Sequence, residues 1–173
     1  MSEITPDTKD WTWVLQQPCP ECGFVAADLP GDEVPAVVAE SLPRWVMALA
    51  RPDARERPRP DVWSVLEYAC HVRDVFRIFD ERLHLMLDED SPTFANWDQD
   101  ATAVSERYGE QDPVVVSGEL VEAGRTVAHS FATVPDDAWG RVGLRSNGSQ
   151  FTVETLGQYF VHDLVHHLRD VDA

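Results

Sequence analysis

The run Thr152-Val-Glu-Thr-Leu-Gly-Gln-Tyr-Phe-Val-His162-Asp163-Leu-Val-His166-His167-Leu-Arg-Asp170 decides the fold. Its apolar residues (Leu156, Tyr159, Phe160, Val161, Leu164, Val165 and Leu168) recur at helical spacing on several sides, as in a helix surrounded by other helices. Three of the six histidines fall between positions 162 and 167. His162 and His166 are four residues apart, which stacks two side chains on one helix face with Cβ atoms roughly 5–6 Å apart. Two imidazoles so placed can share one divalent cation. Burying them with neither ligand nor hydrogen-bond partner is costly. The last helix therefore reads as a core helix that carries part of a metal site.

Three further stretches repeat the helical period. Gly31-Asp32 opens a first helix with Asp32 as its cap, and Val34, Val37, Val38, Leu42, Trp45 and Leu49 recur through about Ala50. Residues 51–60 contain three prolines and read as a linker. Asp61 caps a second helix from Val62 to about Leu87, marked by Trp63, Leu66, Cys70, Phe76, Phe79, Leu83 and Met86. Residues 91–100 form a polar loop with an aromatic anchor, Trp97. Asp112-Pro113, a capping residue followed by proline in the first helical position, starts a third helix that runs through Phe131. Residues 141–150 read as a loop or short hairpin. Four amphipathic helices without a convincing strand run predict an all-α, four-helix bundle over residues 31–173. An irregular N-terminal arm, residues 1–30, precedes it, its Trp11, Trp13 and Phe24 packing onto the bundle.

A length of 173 residues fits one domain with a real core. The net charge of −17 argues against nucleic acid, whose binding relies on clustered Lys and Arg, and against anionic membrane surfaces. No apolar run approaches the roughly 18 residues of a membrane span. The N-terminus lacks the basic and apolar regions of a secretory signal, so a cytoplasmic protein is expected. Cys70, in an apolar helical run, reads as an inert core thiol. Cys19-Pro-Glu-Cys22-Gly23 has the knuckle spacing of half a structural zinc site. With no second Cys-x-x-Cys in the chain, the favoured reading is a tight, reduced turn.

A catalytic metal wants about three protein ligands and one open position. His162 and His166 supply two, and His71, inside the second helix, is the natural third. His84 and His129 sit near helix ends and are weaker candidates. His167 competes with His166, and spacing favours His166. Asp163 and His167 form their own i, i+4 pair, assigned to a supporting role around the ligands or to the surface.

Trp63-Ser-Val-Leu-Glu-Tyr-Ala-Cys-His71-Val-Arg-Asp on the second helix and His162-Asp-Leu-Val-His166 on the last, in this order, resemble the DinB-like superfamily of four-helix bundles over roughly residues 33–171. That superfamily includes mycothiol- and bacillithiol-dependent transferases. The resemblance implies a divalent transition metal, zinc or nickel, on His71, His162 and His166. It implies a thiol S-transferase or isomerase acting on a small electrophile with a low-molecular-weight thiol as cosubstrate, and a homodimer. Glu67, one turn before His71, is the candidate base, and Trp97 and Asp98 are candidates for the pocket rim. Two other readings stand behind this one. One is a hydrolase that employs metal-bound water; the other is a non-enzymatic, stress-linked module in which the metal only braces the bundle.

Overall fold

The structure is a computed structural model that describes residue 4 and residues 6–173. Four long helices form a bundle: α1 (Val34–Leu49), α2 (Val65–Asp88), α4 (Pro113–Ala132) and α5 (Val153–Asp170). A short α3 (Gln99–Ser105) lies between α2 and α4. Helix α4 packs along both α1 and α2, and α5 closes the bundle against the same two helices. Phe160 of α5 is the aromatic hub. It stacks on Phe79 at 5.2 Å and on Phe131 at 5.8 Å, and meets Phe76 edge-on at 5.8 Å. Such pairs add about 0.5–1.5 kcal/mol each beyond their buried area. Trp45, Leu66, Leu83 and Leu120 are among the other fully buried side chains of the core.

The helix ends follow local chemistry. Asp112 accepts hydrogen bonds from the Val114 and Val115 N–H groups and Pro113 opens α4, as its sequence predicts. Helix α2 starts three residues later than the Asp61 reading. Its cap is Ser64, whose hydroxyl accepts from the Glu67 N–H while the Glu67 carboxylate accepts from the Ser64 N–H. This reciprocal Ser-x-x-Glu box satisfies two otherwise orphaned donors. Likewise Asp32 lies in a 3-10 turn (Gly31–Glu33) and makes no side-chain cap, and α1 begins at Val34. Thr152 and Thr155 form a second capping box at the start of α5.

The reading of residues 91–100 as a simple loop is corrected. Strand β1 (Thr93–Phe94) runs parallel to β2 (Val142–Arg145), which pairs antiparallel with β3 (Gln150–Thr152). This small sheet covers one end of the bundle and leads directly into α5. Among the described residues of the arm, 3-10 turns form at Trp11–Leu15 and Ala26–Asp28. The arm lies along α5, held in part by the Gln158 side-chain amide donating to the Leu29 carbonyl at 2.9 Å.

Gly124 sits where α4 comes closest to its neighbours. A Cβ there would overlap Leu42 and lie 2.9 Å from the Phe76 ring. Overpacking of this kind costs about 1–3 kcal/mol, against about 1 kcal/mol gained in helix propensity. Gly124→Ala is expected to lower the urea midpoint of unfolding even though alanine is the better helix former.

Glu67 is held by more than the cap. Arg57 donates to its carboxylate through Nε at 2.9 Å. Burial pushes the Glu67 carboxyl up, but the Arg57 and Ser64 hydrogen bonds outweigh burial and hold it below the ordinary range. A carboxyl depressed on folding stabilises above its unfolded value and loses that contribution as pH falls through its folded one. Glu67→Gln is therefore expected to cost about 1–2 kcal/mol at pH 7. The difference from wild type should begin to shrink below about pH 4.3, as measured by chemical unfolding across pH.

Candidate metal centre

Helix α5 carries two chelating pairs one residue apart, His162/His166 and Asp163/His167. Each residue of an α-helix turns roughly 100°, so the pairs face different neighbours. His162 and His166 face the arm and come together with Cys19 and Cys22, all four potential ligand atoms lying within 4.8 Å of one another. Asp163 and His167 face α2 and come together with His71 within the same limit. The trio expected from the sequence is thus divided: among the described residues, His71 groups with Asp163 and His167 and not with His162 and His166.

The residues of the His71 cluster fit a cation. His71 is fully buried, and neither of its ring nitrogens has a hydrogen-bond partner. Its Nε2 lies 3.3 Å from Asp163 Oδ1, misaligned for a hydrogen bond, and that oxygen is also buried and unpaired. An imidazole and a carboxylate buried with unmet polar atoms are expensive unless something bridges them, and a divalent cation does so. His167 Nε2 stands 3.7 Å from the same Asp163 oxygen. Its Nδ1 donates to Asp170 Oδ2 at 2.9 Å, which leaves Nε2 with its lone pair turned to the cluster. This carboxylate–histidine support is the usual means of orienting a metal-binding imidazole. Burial pushes His167 down, but the Asp163 and Asp170 carboxylates overcome it and leave the ring more basic than usual. Burial likewise works against the Asp163 charge, and the surrounding imidazoles hold its carboxyl well below the ordinary range.

Aromatic rings fix the geometry. Trp97 stacks on His71 with ring centroids 5.3 Å apart and an interplanar angle of 7°, while Trp63 lies against the ring at 5.5 Å. The Trp97 indole N–H donates to Thr102 Oγ1 at 2.8 Å, locking the stack. Trp97 therefore positions the His71 ring. Asp98 spends its carboxylate capping α3 through the Ala101 N–H. Glu67 is engaged by Ser64 and Arg57. His84 pairs with Ser130 at 3.2 Å. Cys70 is fully buried, and burial pushes its thiol up to about 12.

A cavity of about 290 Å³ opens beside the cluster. Its walls include Trp11 and Asp7 from the arm, Trp63 just before α2 and Tyr68 in its first turn, Asp100 from α3, and His162, Asp163, His166, His167 and Asp170 from α5. Among the described lining residues there are five aspartates and neither lysine nor arginine. Burial raises the Asp100 carboxyl above its ordinary value, against the Asp7 N–H that donates to it, so it is protonated more readily than an exposed aspartate. Burial pushes the Tyr68 hydroxyl up to about 12, so it remains a hydrogen-bond donor. Sequence reasoning missed Asp100, which no spacing rule links to a histidine, and Asp170, whose i, i+3 spacing from His167 on the same helix was the signal that could have found it.

The comparisons with known proteins agree with the fold. The family model of the DinB superfamily matches residues 38–171. Among solved structures, YfiT from Bacillus subtilis, described as a probable metal-dependent hydrolase with an unusual four-helix bundle topology, superposes with a TM-score of 0.63 at 20% identity, covering 99% of this chain and 93% of that one. A mycothiol-dependent maleylpyruvate isomerase superposes with a TM-score of 0.67 at 14% identity, covering 86% of this chain but 63% of its own. No curated protein matches the chain in sequence.

Asp163→Asn, which preserves shape and removes the charge, is expected to weaken metal binding by more than the ~10–100-fold that loss of a supporting partner costs. Asp170→Asn should stay within that range. Competition of metal-free protein with a chelating dye measures both, and an Asp163→Asn variant that binds like wild type would contradict the assignment.

Proposed function

The chain belongs to the DinB superfamily, and from that premise we propose a metal-dependent enzyme whose centre is His71, Asp163 and His167. The observation that carries this reading is the fully buried His71, with both ring nitrogens unpaired, facing an unpaired Asp163 oxygen at the edge of a cavity. Three protein donors leave a position free, the arrangement of catalytic rather than structural sites. Two imidazoles and a carboxylate are also the ligand set of several zinc hydrolases. A divalent cation held there polarises a carbonyl and brings the pKa of a bound water toward about 7. Zinc or nickel is the cation that the resemblance to the superfamily implies, and imidazole donors suit both.

The chain's own groups supply the rest. Asp170 holds the His167 ring in one tautomer. Trp97 and Trp63 hold the His71 ring. Asp100 accepts or returns a proton at the cavity wall, and the Tyr68 hydroxyl donates to a substrate oxygen. Trp11 and Trp63 exclude water from the reacting centre. With five carboxylates and neither lysine nor arginine along the described wall, the cavity favours a small neutral or cationic substrate over a dicarboxylate. We favour hydrolysis, because the ligand set suits water activation and because the likeness to YfiT extends over 93% of that protein's length. Thiol transfer or isomerisation is the second reading, favoured by the likeness to the mycothiol-dependent isomerase, of which this chain covers 63%.

The test is a screen of uncharged and cationic esters, amides and lactones with zinc- or nickel-loaded protein, beside mycothiol with monochlorobimane. Hydrolysis abolished in both His71→Ala and Asp163→Asn, with no thiol adduct above the uncatalysed rate, is the expected result. Adduct formation lost in the same variants would select the second reading. Turnover unchanged in both variants would remove the metal centre from the mechanism.

A further inference from the structure

Cys19-Pro-Glu-Cys22 and the pair His162/His166 have no part in the reaction derived above. We propose that these four residues form a second metal site, a closed and structural zinc centre that straps the arm to α5. The proposal stands independently of the enzymatic reading.

The donor set is two thiols two residues apart and two imidazoles four apart, a recurrent tetrahedral zinc set. The four ligand atoms lie within 4.8 Å of one another, and Cys19 Sγ stands 3.8 Å from His166 Nδ1. Around zinc with its usual bond lengths, neighbouring donors sit about 3.3–3.8 Å apart, so a small contraction completes the shell. The surroundings are prepared for it. Cys19, His162 and His166 are all buried. The His162 Nε2 is buried with no hydrogen-bond partner. His166 presents Nδ1 to the thiol, while its Nε2 lies 3.6 Å from Glu21, a carboxylate on the cysteine turn itself.

The turn has the form a metal knuckle needs. The Gly23 N–H donates to the Cys19 carbonyl at 2.8 Å and the Cys19 N–H to the Phe24 carbonyl at 2.9 Å, folding both thiols to one side. Gly23 adopts φ +77, in the left-handed region that favours glycine. Trp11 packs on His162 at 5.7 Å and on His166 at 5.2 Å, and Phe24 packs on His162 at 5.7 Å, so aromatic rings flank both imidazoles, which also line the neighbouring cavity. Four protein donors fill a tetrahedral shell and leave no open coordination position, so the site is structural. Trp11 and Asp7 also wall the reaction cavity, so the strap fixes one side of the neighbouring site.

Cobalt(II) replacement separates the two centres. Wild-type protein is expected to take up two equivalents, with a thiolate-to-cobalt charge-transfer band and the intense visible bands of tetrahedral cobalt. Cys22→Ser should lose that band and one equivalent; His71→Ala should keep the band and lose the other equivalent. Chelation of wild type should expose the arm to limited proteolysis while the bundle helices stay protected. A wild-type spectrum without a thiolate band overturns the proposal, and it does so even if Cys22→Ser fails to fold. A band that persists in Cys22→Ser, or an arm equally protected with and without metal, overturns it as well. A thiolate band intact in a His71→Ala variant that still binds two equivalents would instead defeat the reading of the His71 centre.

Discussion

The structure depends on the angular pitch of α5. Four side chains able to ligate a metal sit at positions 162, 163, 166 and 167, and a helix turns roughly 100° per residue. The first and third therefore share one face and the second and fourth the next. One face meets the arm and the other meets α2, while Phe160, on the same helix, locks the rotation by stacking against Phe79 and Phe131. A rotation of one residue's angle would present both pairs to the wrong partners. The aromatic hub and the ligand clusters are thus two parts of one constraint, packing on one side of α5 fixing coordination on the other.

Charge is the second organising theme. A net charge of −17 disperses over most of the surface, yet five aspartates converge on one cavity. Three of them have separate tasks. Asp163 is the carboxylate of the cluster, Asp170 orients His167, and Asp100 is kept more readily protonated by burial. Asp7 ties the arm to this wall, accepting from the Trp11 indole at 2.7 Å while its own N–H donates to Asp100 at 3.1 Å. The acid-lined wall and the arm that covers it are joined through the same few side chains.

The bundle was legible because its signals are local. Asp112-Pro113 and the apolar periods of α1, α2, α4 and α5 lie within single segments. The start of α2 was misplaced because Asp61 looked a sufficient cap, although Ser64 and Glu67 carry the reciprocal pattern. Strand β1, of two residues, and α3, of seven, are too short for periodicity to reveal and exist through tertiary pairing. At the site, His71 and the histidine run stand out in the sequence as candidate ligands. Which pair groups with His71 is not legible there, because i, i+4 spacing holds equally for 162/166 and 163/167, and only the docking of α5 on α2 places Asp163 and His167 beside it. The cysteine turn lacked a partner for a related reason. Its complement was sought in another Cys-x-x-Cys, whereas Cys19 meets His166 across 147 positions of sequence.

The adjacency of the two pairs on α5 also limits how such a chain can change in length. A single codon inserted or deleted between the Thr152 cap and His162 would rotate all four ligands together, disconnecting both clusters in one event. The same change in the β2–β3 turn, around the left-handed Gly148, would be absorbed by an exposed loop. Drift in this protein's length is thereby channelled into its connections, and the ten residues that begin α5 form a ruler whose gradations cannot be altered singly.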